Sequence, residues 1–352
     1  MVLYMIQQRK YNIDFLRILA CFMVVFLHVS ASGWYTAPVS SFEWKTFNFY
    51  DTAVRSAVPL FLMISGMLFL SKDTLSVKKL LLKNTTKLVL IYFLWSVFYA
   101  IDTLSIQNII HNFNLKLFIS TVLTSKYHLW YLPALISIYF ILPILRTVKD
   151  IKNGKYLNYI LLFFFLFDIL LNSISLLSFS QGISTLLNKF DFALGSYCGY
   201  FILGYVISKN SSLIKIRSRY LLVLLVFVVS ITAIGNYLIS ANKGTASAIL
   251  YDSFFISTFI EACIIFIIFQ RISTKKISHK LGNRLVKVSR YTLFVYLFHP
   301  FVLEHLDRYL GLNTFSMNAL ISVPIISIIV FLICVLFAFL LDLIPVLNKI
   351  LL

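Results

Sequence analysis

Arg17 and His28 lie in one apolar segment, residues 13–32, where a membrane would make charged side chains costly. Eleven positions along an α-helix return to within about 20° of the starting direction, so both side chains share one helix face, roughly 16 Å apart. An imidazole there can act as a general base or as a nucleophile, and a guanidinium can hold a phosphate or a developing oxyanion. Asp14 stands one turn before Arg17 and can neutralise it, so a purely structural ion pair is the alternative.

Other ionisable side chains also fall in apolar segments. Arg55 stands four residues before Pro59 and is a second candidate for stabilising charge. Asp168 and Glu261 fall near the middle of two further segments, where a carboxyl group can also serve as a protonated packing partner.

Two more histidines are candidates for substrate binding. His128 opens the string HLWYL, which includes Trp130, although a histidine beside a tryptophan is often an interfacial anchor. His299 precedes Pro300, which removes a backbone donor and is expected to interrupt the helix. We therefore include His128, Trp130 and His299 among the substrate-binding candidates.

Membrane-spanning helices must position these residues. The 352 residues are 60% hydrophobic and only 12% charged, and apolar runs of about 20 residues recur. The sequence predicts an all-α, polytopic integral membrane protein. The ten predicted spans are 13–32, 53–71, 88–104, 128–147, 156–177, 191–208, 220–240, 249–269, 291–306 and 317–341.

Basic residues indicate the orientation. Most of the 31 Lys and Arg residues fall between spans on the side that holds the N-terminus. The positive-inside rule then places both termini in the cytoplasm, with an even number of spans. The net charge of +18 is thus mainly a topology signal, and no nucleic-acid partner is expected.

Residues 270–291 form a dense basic stretch without an acidic residue. Attraction to anionic membrane lipids is one interpretation. The other is a cytoplasmic entrance for a polyanionic donor, such as a nucleotide or coenzyme A, with Lys275, Lys276 and Lys280 binding its phosphates.

Residues 33–50 are predicted to form an external loop rich in aromatic residues. Most of these rings suit a membrane-interface belt. Trp34 and Tyr35, together with the carboxylate of Glu43, would equally suit a sugar ring and its hydroxyl groups.

No metal site and no bound cofactor are predicted. The four cysteines stand singly within spans, as small packing residues do. His305 follows His299 by six positions, which is not a ligand spacing within a helix.

Five strings, in order, resemble the membrane-bound acyltransferase-3 family. They are YNIDFLRILA at 11–20 continuing to His28, RSAVPLFLMISG at 55–66, HLWYL at 128–132, GYFILGY at 199–205 and YTLFVYLFHP at 291–300. Each string alone is weak, but five in sequence on a ten-span layout cover nearly the whole chain.

The resemblance implies transfer of an acyl group, most often acetyl, from cytoplasmic acyl-CoA to a hydroxyl of a cell-surface or lipid-linked glycan. It implies catalytic roles for His28 and Arg17, with Asp14 and Arg55 as further candidates, in a bacterial cytoplasmic membrane. Some relatives carry an additional soluble domain, whereas residues 1–352 are expected to form a single transmembrane acyltransferase domain.

Two questions stay open from the sequence. His28 can serve as the base or carry the acyl group itself. The rival function is a transporter, in which the buried ionisable residues line a proton or substrate path, although no repeated halves are visible.

Overall fold

The computed structural model describes residues 11–72, 74, 76–177, 196–273, 277–344 and 348. Within these ranges the chain is helical and has no β-strand, so the all-α prediction is confirmed. The helices are α1 (Tyr11–Trp34), α2 (Phe42–Ala53), α3 (Ala57–Leu70), α4 (Val77–Leu104), α5 (Ile106–His111), α6 (Leu115–Thr124), α7 (Tyr127–Asp150), α8 (Lys155–Leu177), α9 (Ser196–Lys209), α10 (Ser211–Ile214), α11 (Ser218–Lys243), α12 (Ile256–Arg271), α13 (His279–Leu310) and α14 (Ala319–Asp342). Short irregular turns are Leu80–Thr85 within α4, Tyr127–Trp130 at the start of α7, Ile151–Gly154, Phe164–Leu171 within α8, and Ile249–Tyr251 before α12.

Eight helical segments in the described ranges are long and apolar enough to cross a membrane. Two predicted spans are not among them. The span 191–208 falls on α9, which has only 14 residues, and residues 191–195 lie outside the described part of the chain. The span 291–306 lies in the second half of α13, a 32-residue helix whose first half is basic.

α1 occupies the centre of the helix bundle. It packs against α2, α3, α12, α13 and α14. Leu16, Ala20 and Val25 are fully buried on its packed faces. The face of α1 that carries Arg17 and His28 contributes to the candidate active site.

Successive long helices run in alternating directions, and cross-links between their ends show this. The Asn12 side chain at the start of α1 donates to the Phe269 carbonyl at the end of α12, over 2.8 Å. The Arg146 guanidinium near the end of α7 donates to the Phe69 carbonyl at the end of α3, also over 2.8 Å. We call this end of the bundle, where α1 begins, the basic side, and the other end the opposite side.

The prediction that residues 33–50 form a loop is wrong. A turn at residues 35–41 leads directly into α2, and the Ser41 side chain caps this helix by accepting from the Trp44 amide at 3.1 Å. The second span therefore begins at Phe42 instead of residue 53, and it is broken at residues 54–56. Burial of Trp44 and Phe47 on one helix face explains why an aromatic-rich stretch becomes core.

The third span begins within a lysine-rich stretch of the chain. A continuous helix runs from Val77 through a π-helical turn into this span. Continuation of the backbone hydrogen-bond ladder makes Lys78, Lys79, Lys83 and Lys87 part of the basic end of α4.

Two glycines bring α3 and α9 into backbone contact. A Cβ at Gly66 would collide with the backbone of Phe201, and a Cβ at Gly204 would collide with the backbone of Met63. Small residues let membrane helices approach closely, so the glycine-containing strings at 55–66 and 199–205 pack against each other.

Candidate active site

The stripe of α1 that carries Arg17 faces a cavity of about 320 Å³. The cavity is bounded by α1, α3, α4, α7 and α13. Its lining residues are Arg17, Val24, Val58, Phe61, Ser65, Leu88, Tyr131, Leu135, Tyr139, Ser289, Arg290, Thr292, Leu293 and Tyr296. Arg17 and Val24, two helical turns apart, both line this cavity, whereas His28 is not among its lining residues.

Two guanidinium groups stand at the basic end of this cavity. Arg17 comes from α1, and Arg290 comes from α13 just before its apolar half. Tyr131 and Tyr139 line the same cavity and are close enough to Arg17 for its positive charge to act on their hydroxyl groups. Asp14, one turn before Arg17, is buried. This end of the cavity can bind an anion.

Three histidine rings meet beyond the other end of the α1 stripe. The ring of His28 stacks on that of His299 from α13, with 5.1 Å between centroids. His128 from α7 approaches His299 edge-on, with 5.6 Å between centroids. His128 and His299 are buried, whereas His28 is partly exposed. The sequence singled out each histidine separately, and the fold brings all three together.

The ring orientation of His299 depends on Pro300. Proline has no amide hydrogen, so the Tyr296 carbonyl lacks its helical donor, and His299 Nδ1–H supplies one over 2.8 Å. The same nitrogen lies 3.2 Å from the Val295 carbonyl. The helix consequently continues through Pro300 to Leu310, contrary to the interruption expected from the sequence.

Both buried histidines, in their neutral form, present an unprotonated nitrogen. Carbonyl groups only accept hydrogen bonds, so His299 is protonated on Nδ1, and in the neutral ring its Nε2 carries the lone pair. His128 Nε2 likewise donates to the Leu297 carbonyl over 3.2 Å, which leaves Nδ1 with the lone pair. Within the described part of the chain, His299 Nε2 and His128 Nδ1 have no hydrogen-bond partner.

Tyrosine side chains hold the histidine cluster in place. Tyr296 donates its hydroxyl hydrogen to the His128 carbonyl, and Tyr99 from α4 donates to the Leu297 carbonyl over 2.7 Å. These bonds tie α4 and α7 to the middle of α13. The sequence offered no signal for them, because each joins residues more than a hundred positions apart.

Arg55 lies in the break between α2 and α3. It forms an ion pair with the buried carboxylate of Asp51, and its guanidinium lies over the Tyr251 ring, 4.1 Å from the centroid. Its charge reaches both His28 and the buried Glu261. Arg55 can therefore influence charge near His28 from a fixed position, and its catalytic role stays a prediction.

The aromatic residues expected to bind substrate lie elsewhere. Trp34 is only 2% exposed and stacks on Trp44, with 5.9 Å between centroids. Tyr35 is exposed and Glu43 is partly exposed, near the turn between α1 and α2. Trp130 is partly exposed, and its ring contacts Tyr131 and Tyr197. Packing between helices therefore explains the tryptophan at position 34.

Lys280, one of the three lysines expected to bind a donor, is not in the cavity lining. Lys280 is exposed in the first turn of α13, and Lys275 and Lys276 lie outside the described residues. Within the described part of the basic stretch at residues 270–291, the residue that lines the cavity is Arg290. It directly precedes the apolar string at 291–300. This position at the edge of a predicted span could have indicated Arg290 from the sequence.

Comparison with known proteins identifies the family. Residues 10–341 match the family model described as an acyltransferase domain, of the acyltransferase-3 type. The chain is 34% identical over 134 residues to an amino-acid racemase of Enterococcus faecalis. That similarity covers 35% of this chain and only 17% of the racemase, so the chain spans a small part of that relative. No solved structure matches the chain significantly. The protein belongs to the acyltransferase-3 family of membrane-embedded acyltransferases.

Proposed function

We propose that the protein transfers an acyl group, in the simplest case acetyl, from acyl-CoA to a hydroxyl of a cell-surface or lipid-linked glycan. The observation that carries this proposal is the α1 stripe. It begins at Arg17 in a cavity on the basic side and ends at the partly exposed His28. Donor and acceptor would approach His28 from opposite sides of a bacterial cytoplasmic membrane, with the basic side cytoplasmic.

Charge at the basic side supports a polyanionic donor. Arg17 and Arg290 line the cavity, and Lys87 on α4 lies within the electrostatic reach of Arg290 and Lys83. Like charges held together repel, so the cluster is stabilised when an anion binds among them. Phosphate groups of coenzyme A fit this requirement.

Length also agrees with a coenzyme A donor. Arg17 and His28 are separated by roughly 16 Å along the helix axis. A phosphopantetheine arm has a comparable length when extended, and the wall between the two residues is largely apolar, with Val24, Val58 and Phe61. A phosphate near Arg17 would then place the thioester near His28.

Two routes are compatible with this placement. In the first, His28 accepts the hydroxyl proton while the hydroxyl oxygen attacks the thioester carbonyl carbon; the C–S bond breaks and coenzyme A leaves as the thiolate. In the second, a ring nitrogen of His28 attacks the thioester carbonyl carbon, the C–S bond breaks and coenzyme A leaves as the thiolate. The hydroxyl oxygen then attacks the acyl carbon, the C–N bond breaks, and the hydroxyl proton passes to the released imidazole nitrogen. In both, Arg55 can stabilise the negative charge that develops near His28, while Arg17 holds the phosphate.

The test uses purified protein in lipid nanodiscs, which leave both sides accessible. Radiolabelled acetyl-CoA is added with surface glycan from a deletion strain, stripped of esters by mild alkali. We expect alkali-labile label on the glycan with wild-type protein. Solute flux coupled to protons, with no acylated product, would favour the transporter instead.

Donor binding is tested in the same preparation without glycan. Arg290→Gln should weaken acetyl-CoA binding, and the wild-type affinity should fall as salt rises, because exposed charges are screened over about 10 Å at 0.1 M. Arg284→Gln removes the same charge from an exposed site on the same helix and serves as the matched control. Equal affinities for the two variants would contradict a phosphate site at Arg290.

A further inference from the structure

We infer that Tyr127, together with the ion pair between Lys126 and Glu304, forms the subsite for the sugar ring of the acceptor. This inference rests on the proposed acyl transfer and adds the place where the acceptor binds. It concerns residues on the opposite side of the bundle from Arg17 and Arg290, at the start of α7 and near the end of α13.

Tyr127 combines exposure with contact to the proposed reaction centre. It opens α7, 54% of its surface is exposed, and its ring lies 5.2 Å from that of His28 between centroids. The distance to the His128 ring is 5.6 Å. A ring bound against the open surface of Tyr127 would lie directly beside His28.

A charged pair stands next to this tyrosine. Lys126 Nζ lies 2.8 Å from the Glu304 carboxylate, and both side chains are partly exposed. Lys126 Nζ also lies 6.0 Å from the centre of the Tyr127 ring and 5.6 Å from that of Tyr99. An exposed aromatic ring with an ammonium over it, and a carboxylate paired with that ammonium, can pack on sugar C–H groups, accept from hydroxyls and donate to ring oxygens.

Lipid contact does not account for this arrangement. Tyrosines at a membrane boundary are commonly anchors, but the charges of Lys126 and Glu304 beside this ring would be costly in hydrocarbon. The carboxylate also disfavours an acidic ligand at this place, because like charges repel. The fitting ligand is a neutral, hydroxyl-rich ring.

The buried histidines provide an independent observation. His128 Nδ1 and His299 Nε2 carry lone pairs and lack a hydrogen-bond partner within the described part of the chain. Both rings lie within 5.6 Å of the His28 or Tyr127 rings, measured between centroids. Unsatisfied acceptors next to an open site are complementary to a ligand that brings O–H donors.

The experiment measures acylation kinetics in nanodiscs with radiolabelled acetyl-CoA and alkali-stripped surface glycan. Loss of one aromatic stacking contact corresponds to a change on the order of tenfold. Tyr127→Ala should therefore raise the KM for glycan about tenfold and leave the KM for acetyl-CoA unchanged. Tyr127→Phe keeps the ring and should give a KM for glycan clearly below that of Tyr127→Ala. Tyr309→Ala removes an exposed tyrosine from the same side of the bundle and should have no effect.

Acetyl-CoA binding shows whether each variant is folded. If Tyr127→Ala fails to fold, Glu304→Gln provides a second variant, because it keeps the size of the side chain. It should also raise the KM for glycan selectively. If every variant acylates glycan with an unchanged KM for glycan, the subsite is wrong and the proposed function stands. Equal changes in the KM for glycan and the KM for acetyl-CoA would have the same meaning. No labelled glycan from the wild-type protein would instead reject the proposed function, and the subsite with it.

Discussion

The imidazole ring of His28 stacks on that of His299, with an angle of 28° between the ring planes. A stacked contact uses the ring faces, whereas both nitrogens of an imidazole lie on its edge. The contact with His299 therefore does not occupy the nitrogen edge of the partly exposed His28, while α13 holds the plane of its ring. The arrangement makes His299 a positioning residue for the group proposed to react.

Replacing His28 by alanine should abolish acyl transfer while the protein stays folded. Removing a general base typically costs about 10²–10⁴-fold in rate, and alanine is well tolerated in a helix. Labelled glycan and acetyl-CoA binding are measured in parallel, with Leu27→Ala as the control at the neighbouring position. Wild-type transfer by a well-folded His28→Ala protein would reject the catalytic assignment.

The roles of His299 in folding and in transfer can be separated through Pro300. His299→Ala leaves the Tyr296 carbonyl without a donor, which costs about 1–3 kcal/mol in a buried place, and should also lower the rate constant for transfer. The double variant His299→Ala, Pro300→Ala regains a backbone amide that can bond to this carbonyl. We expect it to recover the thermal midpoint and not the rate.

The measurements for these two variants are thermal unfolding of the solubilised protein and acyl transfer at saturating acetyl-CoA. Full recovery of transfer in the double variant would show that His299 serves helix stability alone. Recovery of neither quantity would contradict the proposed hydrogen bond between His299 and the Tyr296 carbonyl.

Arg17 should not be replaceable by lysine. Lysine keeps the charge but lacks the planar fork that binds phosphate or carboxylate through two parallel hydrogen bonds, so Arg17→Lys should impair transfer strongly. An Asp14→Asn, Arg17→Gln variant removes both charges and tests the structural alternative. Folded yield and transfer are compared in the same membranes. Near-normal transfer by both variants would leave Arg17 without a catalytic role.

The contact between α3 and α9 should not tolerate even one methyl group. Gly66→Ala would force the two backbones apart, and overpacking of this kind typically costs about 1–3 kcal/mol. Gly235→Ala on α11 is the matched control, because its Cβ would meet only the end of the Leu250 side chain. Thermal unfolding midpoints of the two variants give the comparison. Equal midpoints would contradict the close approach.

The sequence by itself determined the features that depend on local periodicity. An apolar run of helical length predicts a span wherever it stands, and the angle between Arg17 and His28 follows from the helix repeat alone. Order and spacing of the five strings were also enough to indicate the family, which the family model confirms.

Only the tertiary structure decided which of these residues meet. His28, His128 and His299 belong to three helices far apart in the chain, and the choice of Arg290 over Lys280 depends on which side of α13 faces α1. The proton on His299 depends on a carbonyl released by Pro300 and on the ring's approach to it. Packing between distant segments sets these contacts, and no local pattern of residues encodes them.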